Sequence, residues 1–213
     1  MWPLRGLPRR ATGGLGDWLL ITFIVLEITL AALLSRRALP TPVSAATTRS
    51  YLTQLTVAVD SNSPANSHDL FKTWDIISGN CDTRETALKR DVATNSACSV
   101  TSEHRVSPYD GVATDLDHVV HLKEAWVSGA QREAFANDLM RPQLAAVTDN
   151  LNQSKAIPSV PGSSGDRDPA NWLPPLSSCI CTYVRAWVQV KYYYGLTIDS
   201  AEKTALTNRL AGC

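Results

Sequence analysis

Two short stretches hold the residues whose types and spacing could do chemistry. DLDHVV (115–120) sets two acids and a histidine against a valine pair, and NLNQSK (150–155) follows about 30 residues downstream. A histidine at a strand end, an acid beside it and an Asn-x-x-Lys opening a helix are the parts of a one-metal phosphodiesterase. Hydrolysing a phosphodiester needs a nucleophilic water, and a neutral imidazole with a pKa of about 6.5 can deprotonate it. It also needs a hard cation to neutralise the phosphate and stabilise the departing alkoxide. Mg²⁺ takes few protein ligands, prefers oxygen and keeps several waters. The Asp117 carboxylate and the Asn152 amide oxygen meet that need, with Mn²⁺ as the alternative ion, and His118 is the expected general base. Each residue also has a plain alternative. His118 could be a packed core histidine, Asn152 a helix N-cap and Lys155 a solvated cation. HVVH (118–121) is not a zinc motif, because it lacks the i,i+4 spacing and the glutamate of a metalloprotease helix. His121 is therefore expected to line the groove on the substrate side.

The elements around these residues follow from pattern. Alternation in DLDHVV predicts a short strand with Asp115, Asp117 and Val119 on one face and Leu116, His118 and Val120 on the other. CDTRETALKRD (81–91) predicts a helix capped by Asp82, with Glu85 completing a capping box. SPYDG (107–111) is a turn signal. LKEAWVSG (122–129) and QREAFANDL (131–139) predict two short helices, the first ended by Gly129. PQLAAVT (142–148) reads as a buried strand and DNLNQSK (149–155) as the start of a helix. Residues 156–170 hold three prolines and two glycines and read as a surface loop. CTYVRAWVQVKYYYG (181–195) carries Tyr183, Trp187, Val190 and Tyr194 at helical spacing, and DSAEKTALTNRLAGC (199–213) is a helix capped by Asp199. The sum is an α+β domain, mostly helical, with Trp126, Trp172, Trp187 and Tyr192 to Tyr194 as core and rim aromatics.

The N-terminus reads as a targeting segment. Arg5, Arg9 and Arg10 precede an apolar run, WLLITFIVLEITLAALL (18–34), and VSAA (43–46) fits small-residue cleavage after Ala45. Glu27 interrupts the run, where a charge costs about 2.5–3.5 kcal/mol on insertion scales. Residues 1–45 are expected to be a signal peptide or, uncleaved, a membrane anchor; residues 46–67 a linker; and 68–213 the folded domain, with a start as early as residue 51. The domain is delivered outside the cell in either case. The whole chain carries 20 basic and 20 acidic residues. Removing residues 1–45 takes away five basic and two acidic side chains and leaves a net charge of −3, so any phosphate binding must be local. Five cysteines suit an exported, disulfide-linked protein. Cys81–Cys98 is the natural local pair, worth about 3 kcal/mol in the chain-entropy model. Cys213 needs a partner near residue 180, which leaves either Cys179 or Cys181 over.

Taken together, HDLFKTWDIISGNCDTRETALKRD, SPYDG, DLDHVVHLKEAWVSGA, QREAFANDL, PQLAAVTDNLNQSK, NWLPP, CTYVRAWVQVK and the final cysteine resemble the exported HNH endonuclease family, whose domain is related to the C-terminal nuclease domain of GmrSD restriction proteins. The resemblance spans roughly residues 51–213 in consistent order. It implies a ββα-metal (His-Me finger) core with His118 as general base and Asp117 and Asn152 as metal ligands. It further implies that Asn137 supports the active-site loop, that Lys155 lies near phosphate and that Asp115 stands behind the ligands. It pairs Cys181 with Cys213 and leaves Cys179 free. His121 departs from the family pattern, and the segments before DLDH and before QREAF are short. The implied partner is nucleic acid, DNA foremost and RNA next, held mainly by its phosphates. The competing expectation is an inactive exported binding or envelope protein that keeps the fold.

Overall fold

A computed structural model describes residues 39–61, 71–91, 115–128, 132–156 and 167–213. The chain divides into two units, Met1–Arg36 and Arg37–Cys213, and every described residue belongs to the second. The expected turn at 107–111, the apolar run, Cys98, Gly129 and most of the 156–170 loop lie outside the described residues.

Helix α1 (Ala45–Gln54) is capped by Ser44, whose side chain accepts from the Thr47 amide. The Ser- and Thr-rich composition of this stretch suggested a linker. Instead its hydroxyls serve the helix: Thr48 is buried and donates to the Ser44 carbonyl, while Leu52 and Leu55 enter the core. The boundary expected after Ala45 therefore falls inside the folded unit. Cys81 begins strand β2 (Cys81–Asp82), which pairs antiparallel with β1 (Ile76–Ser78). Helix α2 (Thr83–Asp91) follows directly. Its capping box is complete, with the Glu85 amide on Asp82 Oδ1 at 2.8 Å and the Asp82 amide on Glu85 Oε2 at 3.0 Å.

Strand β3 (Asp115–His118) and strand β4 (Leu144–Val147) form an antiparallel pair in the register Asp115↔Val147 to His118↔Leu144. Helices α3 (Leu122–Ser128) and α4 (Arg132–Ala136) lie in the connection between them. α4 is shorter than QREAFANDL suggested, because the Asn137 side chain turns to the loop at 72–75. Helix α5 (Asp149–Ala156) leaves β4 at once and packs back on β3. Two apolar layers cover the ribbon. Leu116, Leu144 and Ala146 pack with Ala87 and Leu88 of α2. Val119, Ala145 and Val147 join the larger core with α6 (Ser177–Tyr194) and α7 (Ser200–Ala211).

α6 begins four residues earlier than its periodicity indicated and ends at Gly195, whose φ of 62° permits the left-handed cap. Asp199 caps α7, accepting from the Glu202 amide at 2.7 Å. The Glu202 carboxylate does not close the capping box. It turns inward to Lys191 and Trp187 Nε1, and Glu124 of α3 is the second carboxylate on Lys191. This buried group ties α3 to α6 and α7. Cys181 and Cys213 form a disulfide with Cα atoms 5.5 Å apart. Cys179 is a buried free thiol, and burial pushes its pKa up to about 12. Cys81 is disulfide-bonded. The fold is α+β, with seven helices and two small antiparallel sheets among the described residues.

Candidate functional site

The pleat of β3 splits the DLDH residues between two environments. Asp115 and Asp117 face α5, where Asn152 and Lys155 stand one turn apart on the same side. The two pairs meet in register. Asn152 Nδ2 donates to Asp115 Oδ2 at 2.9 Å, and Lys155 Nζ donates to Asp117 Oδ2 at 2.6 Å. The pairing differs from the expected one: Asn152 meets Asp115, while Asp117 meets Lys155.

The inner pair is buried. The side chain of Asp117 is 1% exposed and that of Lys155 0%. Burying a lone charge is costly, so each ion requires the other and further dipoles. Lys155 also donates to the His118 carbonyl at 2.8 Å, and its ammonium lies 5.8 Å from the ring centres of Trp172 and Tyr183. Expected near phosphate, Lys155 is instead enclosed by protein. His121 Nε2 lies 3.5 Å from Asp117 Oδ1, so this histidine also faces the inner carboxylate. The outer pair is half-exposed, and Arg84 of α2 brings Nη2 within 3.8 Å of Asp115 Oδ1.

The donor set can be tested against a hard cation. Among the described residues no three His, Cys, Asp or Glu side chains converge. Asp117 Oδ2 already carries an ammonium. The outer pair fits better. Its two polar atoms are 2.9 Å apart, the edge length of an octahedron with bonds of about 2.0–2.1 Å. Exchanging the ends of the Asn152 amide puts an oxygen at that corner. Asp115 and Asn152 are therefore the residues that would hold Mg²⁺ or Mn²⁺, with Asp117 behind them.

His118 lies on the other face of the strand. Its Nε2 is 2.9 Å from the Ala136 carbonyl oxygen. A carbonyl can only accept, so Nε2 bears the proton and Nδ1 keeps its lone pair. Burial lowers the ring pKa to about 4, although the Ala136 carbonyl and Asp117 pull the other way. The imidazole is therefore neutral at physiological pH. Trp74 stacks on it, with ring centroids 5.6 Å apart and planes 21° from parallel. Trp74 has φ of 64°, a conformation costly for a bulky side chain. The surrounding bonds enforce it. Asn137 Oδ1 accepts from the Asp75 amide at 3.0 Å, and its Nδ2 donates to the Lys72 carbonyl at 2.8 Å. Thr83 holds the Asp75 carbonyl from the other side. Asn137 thus braces the 72–75 loop that covers His118.

A cavity of about 530 Å³ opens beside this wall, lined by Asn137, Asp138, Leu139, Arg141, Tyr193 and others. The Arg141 guanidinium lies 3.2 Å above the Tyr193 ring. Asp138 steadies it from a buried position, accepting from the Arg141 and Met140 amides and from the Tyr194 hydroxyl. Such a stacked plane accepts a flat ring on its open side. Trp74, the Ala136 carbonyl and this cavity escaped the sequence reading. The sequence signal nearest to them was Asn137, which the resemblance set behind an active-site loop without naming that loop's residues.

No family model matches the chain, and no solved structure matches it. An uncharacterized secreted protein of Arthroderma benhamiae (strain ATCC MYA-4681 / CBS 112371) is 44% identical over 210 residues, covering 90% of this chain and 98% of that protein. Among the described residues no helix is long and apolar enough to cross a membrane.

Proposed function

The chain belongs to the same family as that Arthroderma benhamiae protein and is itself secreted; on that premise we propose that it is an exported, divalent-metal-dependent endonuclease of the ββα-metal type. Its substrate is DNA, with RNA as the second candidate. The order β3, β4, α5, with the helix packed back on the ribbon, supports a ββα unit. The observation that carries the reading is the tautomer lock on His118. With Nε2 anchored to Ala136 and the ring neutral, Nδ1 is a fixed base. It takes the proton from an attacking water, and the water oxygen displaces the 3′ oxygen from phosphorus. Trp74 limits the ring's rotation. Asp115 and Asn152 would hold the cation, whose chemistry is to neutralise phosphate charge and stabilise the leaving oxygen. Arg84, 3.8 Å from Asp115, would meet the phosphate there. The cavity at Arg141 and Tyr193 would take a flanking base.

One observation favours a second reading, an exported binding protein that does not cut. Asp117 is neutralised by a buried lysine, Lys155. Plasmid nicking by the secreted chain separates the two readings. Cutting with Mg²⁺ or Mn²⁺ that is abolished by EDTA and by His118→Ala is expected of the nuclease. Cutting that survives either treatment defeats the mechanism. No cutting by folded wild type under either metal favours the binding protein.

A further inference from the structure

We propose that the cavity beside Ala136 receives an unpaired nucleobase, so that the nucleic acid this chain takes is single-stranded DNA in preference to duplex. The inference rests on the nucleic-acid reading of the site above and narrows its substrate class. It begins with Arg141, whose guanidinium lies 3.2 Å from the centre of the Tyr193 ring. At that separation the cation lies against the ring face. An arginine side chain on a surface ordinarily keeps much rotamer freedom; this one is built in. The Asp138 side chain is 2% exposed and accepts from the Met140 amide at 2.9 Å and the Arg141 amide at 3.1 Å. Its other oxygen accepts from the Tyr194 hydroxyl at 2.9 Å. Arg141 Nη1 is 3.5 Å from both carboxylate oxygens. The Arg141 carbonyl accepts from the Gln143 amide at 2.7 Å. Gln143 is buried, and its side-chain amide bonds both the amide and the carbonyl of Val120, just past His118. The platform is thus pinned to the end of β3.

The donor edge of Arg141 is turned to a carboxylate, so the cavity offers a flat cationic face in place of a bidentate phosphate fork. Tyr193 is 55% exposed and Met140 81%, and a flat ring can continue the Arg141–Tyr193 stack. Because both groups are already held, little ordering remains to oppose binding. The cavity, about 530 Å³, is lined by Asn137 and Asp138. These directly follow the residue whose carbonyl holds His118 Nε2 at 2.9 Å. A strand with a base in the cavity therefore runs a neighbouring phosphate toward His118. A paired base cannot make this contact. In a duplex its faces are covered by adjacent bases and its edge by its partner. Entry then costs unstacking and unpairing, a cost smallest for a strand already single. Many phosphate contacts would be needed to offset it. Among the described residues, Lys72, Lys155 and Lys191 are already held by carboxylates.

The test is a fluorescence-anisotropy titration of a short labelled oligonucleotide with the secreted chain in EDTA, once as a single strand and once annealed to its complement. EDTA removes any cation and any cutting, so the titration reads the stack alone. Wild type should bind the single strand at least about tenfold more tightly. Tyr193→Ala should lower that ratio at least about fivefold, and Tyr193→Trp, which keeps an aromatic face, should hold it. Equal affinity for the two forms, preference for the duplex, no binding of either, or a ratio unmoved by Tyr193→Ala overturns the inference. With Mg²⁺ or Mn²⁺ a stem-loop oligonucleotide should be cut in its loop, and cuts confined to the stem overturn it as well. Failure of the nuclease reading shows differently: a chain that prefers the single strand in EDTA yet cuts no substrate with either metal supports this inference and defeats that reading.

Discussion

Replacing Lys155 with methionine keeps most of the side-chain volume and removes an ammonium that lies 2.6 Å from Asp117 Oδ2 and 2.8 Å from the His118 carbonyl. Both side chains of the ion pair are buried. Asp117 would keep a charge facing His121 at 3.5 Å, a group that is cationic only when protonated. Breaking a buried pair from one side costs about 3–5 kcal/mol. For a domain of this size each kcal/mol moves the melting temperature by about 2–4 °C, so the variant should melt about 10 °C lower. Adding Asp117→Leu should recover much of the loss, because two apolar residues satisfy each other where one buried charge cannot. The assay is thermal and urea denaturation of wild type, both single variants and the double variant, with oligonucleotide binding measured against salt in parallel. A surface lysine touching phosphate would behave otherwise. Its loss would change stability by less than about 0.5 kcal/mol and reduce the salt slope of binding by about one. That outcome would refute the buried arrangement.

Three further outcomes follow from the same contacts. Cys213→Ser opens a loop spanning 32 residues, which the chain-entropy model values at about 4 kcal/mol; a non-reducing denaturation series should show a loss of that order, and a loss below about 1 kcal/mol would contradict it. His118 should titrate at about 4 in an NMR series. Its folded pKa lies below the unfolded value of about 6.5, so its contribution to stability is full above 6.5 and is lost as pH falls toward 4; a ring titrating near 6.5 would mean that it is not enclosed. Glu202 behaves in the opposite sense. Burial raises its pKa to about 8 despite Lys191, above its unfolded value, so its contribution is present at acid pH and is lost as pH rises toward 8. Melting temperatures from pH 5 to 9 should fall more steeply for wild type than for Glu202→Gln, and parallel curves would exclude the effect.

Much of the ribbon was legible because strand alternation and capping chemistry are local. DLDH, LAAV and the Asp82–Glu85 box need only neighbours in sequence. The choice of acid for Asn152 is not local. It depends on how far α5 slides along β3, which the turn at Thr148 and the packing of Leu151 decide, and residue types at a fixed spacing do not report that slide. Trp74 was illegible for a related reason. Its place over His118 depends on a positive φ and on bonds from Asn137, 62 positions from Asp75. α1 was missed in its first half because Ser and Thr are poor helix formers in isolation. Here one serine is the cap and one threonine hydroxyl is buried against that serine's carbonyl.

The same geometry limits how this protein can hold a polyanion. Lys155 and Lys191 are enclosed with their carboxylates. Arg185 donates to the Pro42 and Val43 carbonyls, and Lys72 lies between Asp75 and Glu133. Residues 39–213 carry 15 basic and 18 acidic side chains, a net charge of −3, so the overall field opposes nucleic acid. Among the described residues, Arg84 and Arg141 are partly accessible cations near His118 and the cavity. Two contacts of this kind give a shallow salt slope, roughly −2 for duplex DNA against about −10 for a repressor with many phosphate contacts. On the proposed reading, affinity would come from a cation held by Asp115 and Asn152 and from stacking at Tyr193. A measured slope far steeper than that would place the binding surface elsewhere on the chain and detach the cavity from the chemistry at His118.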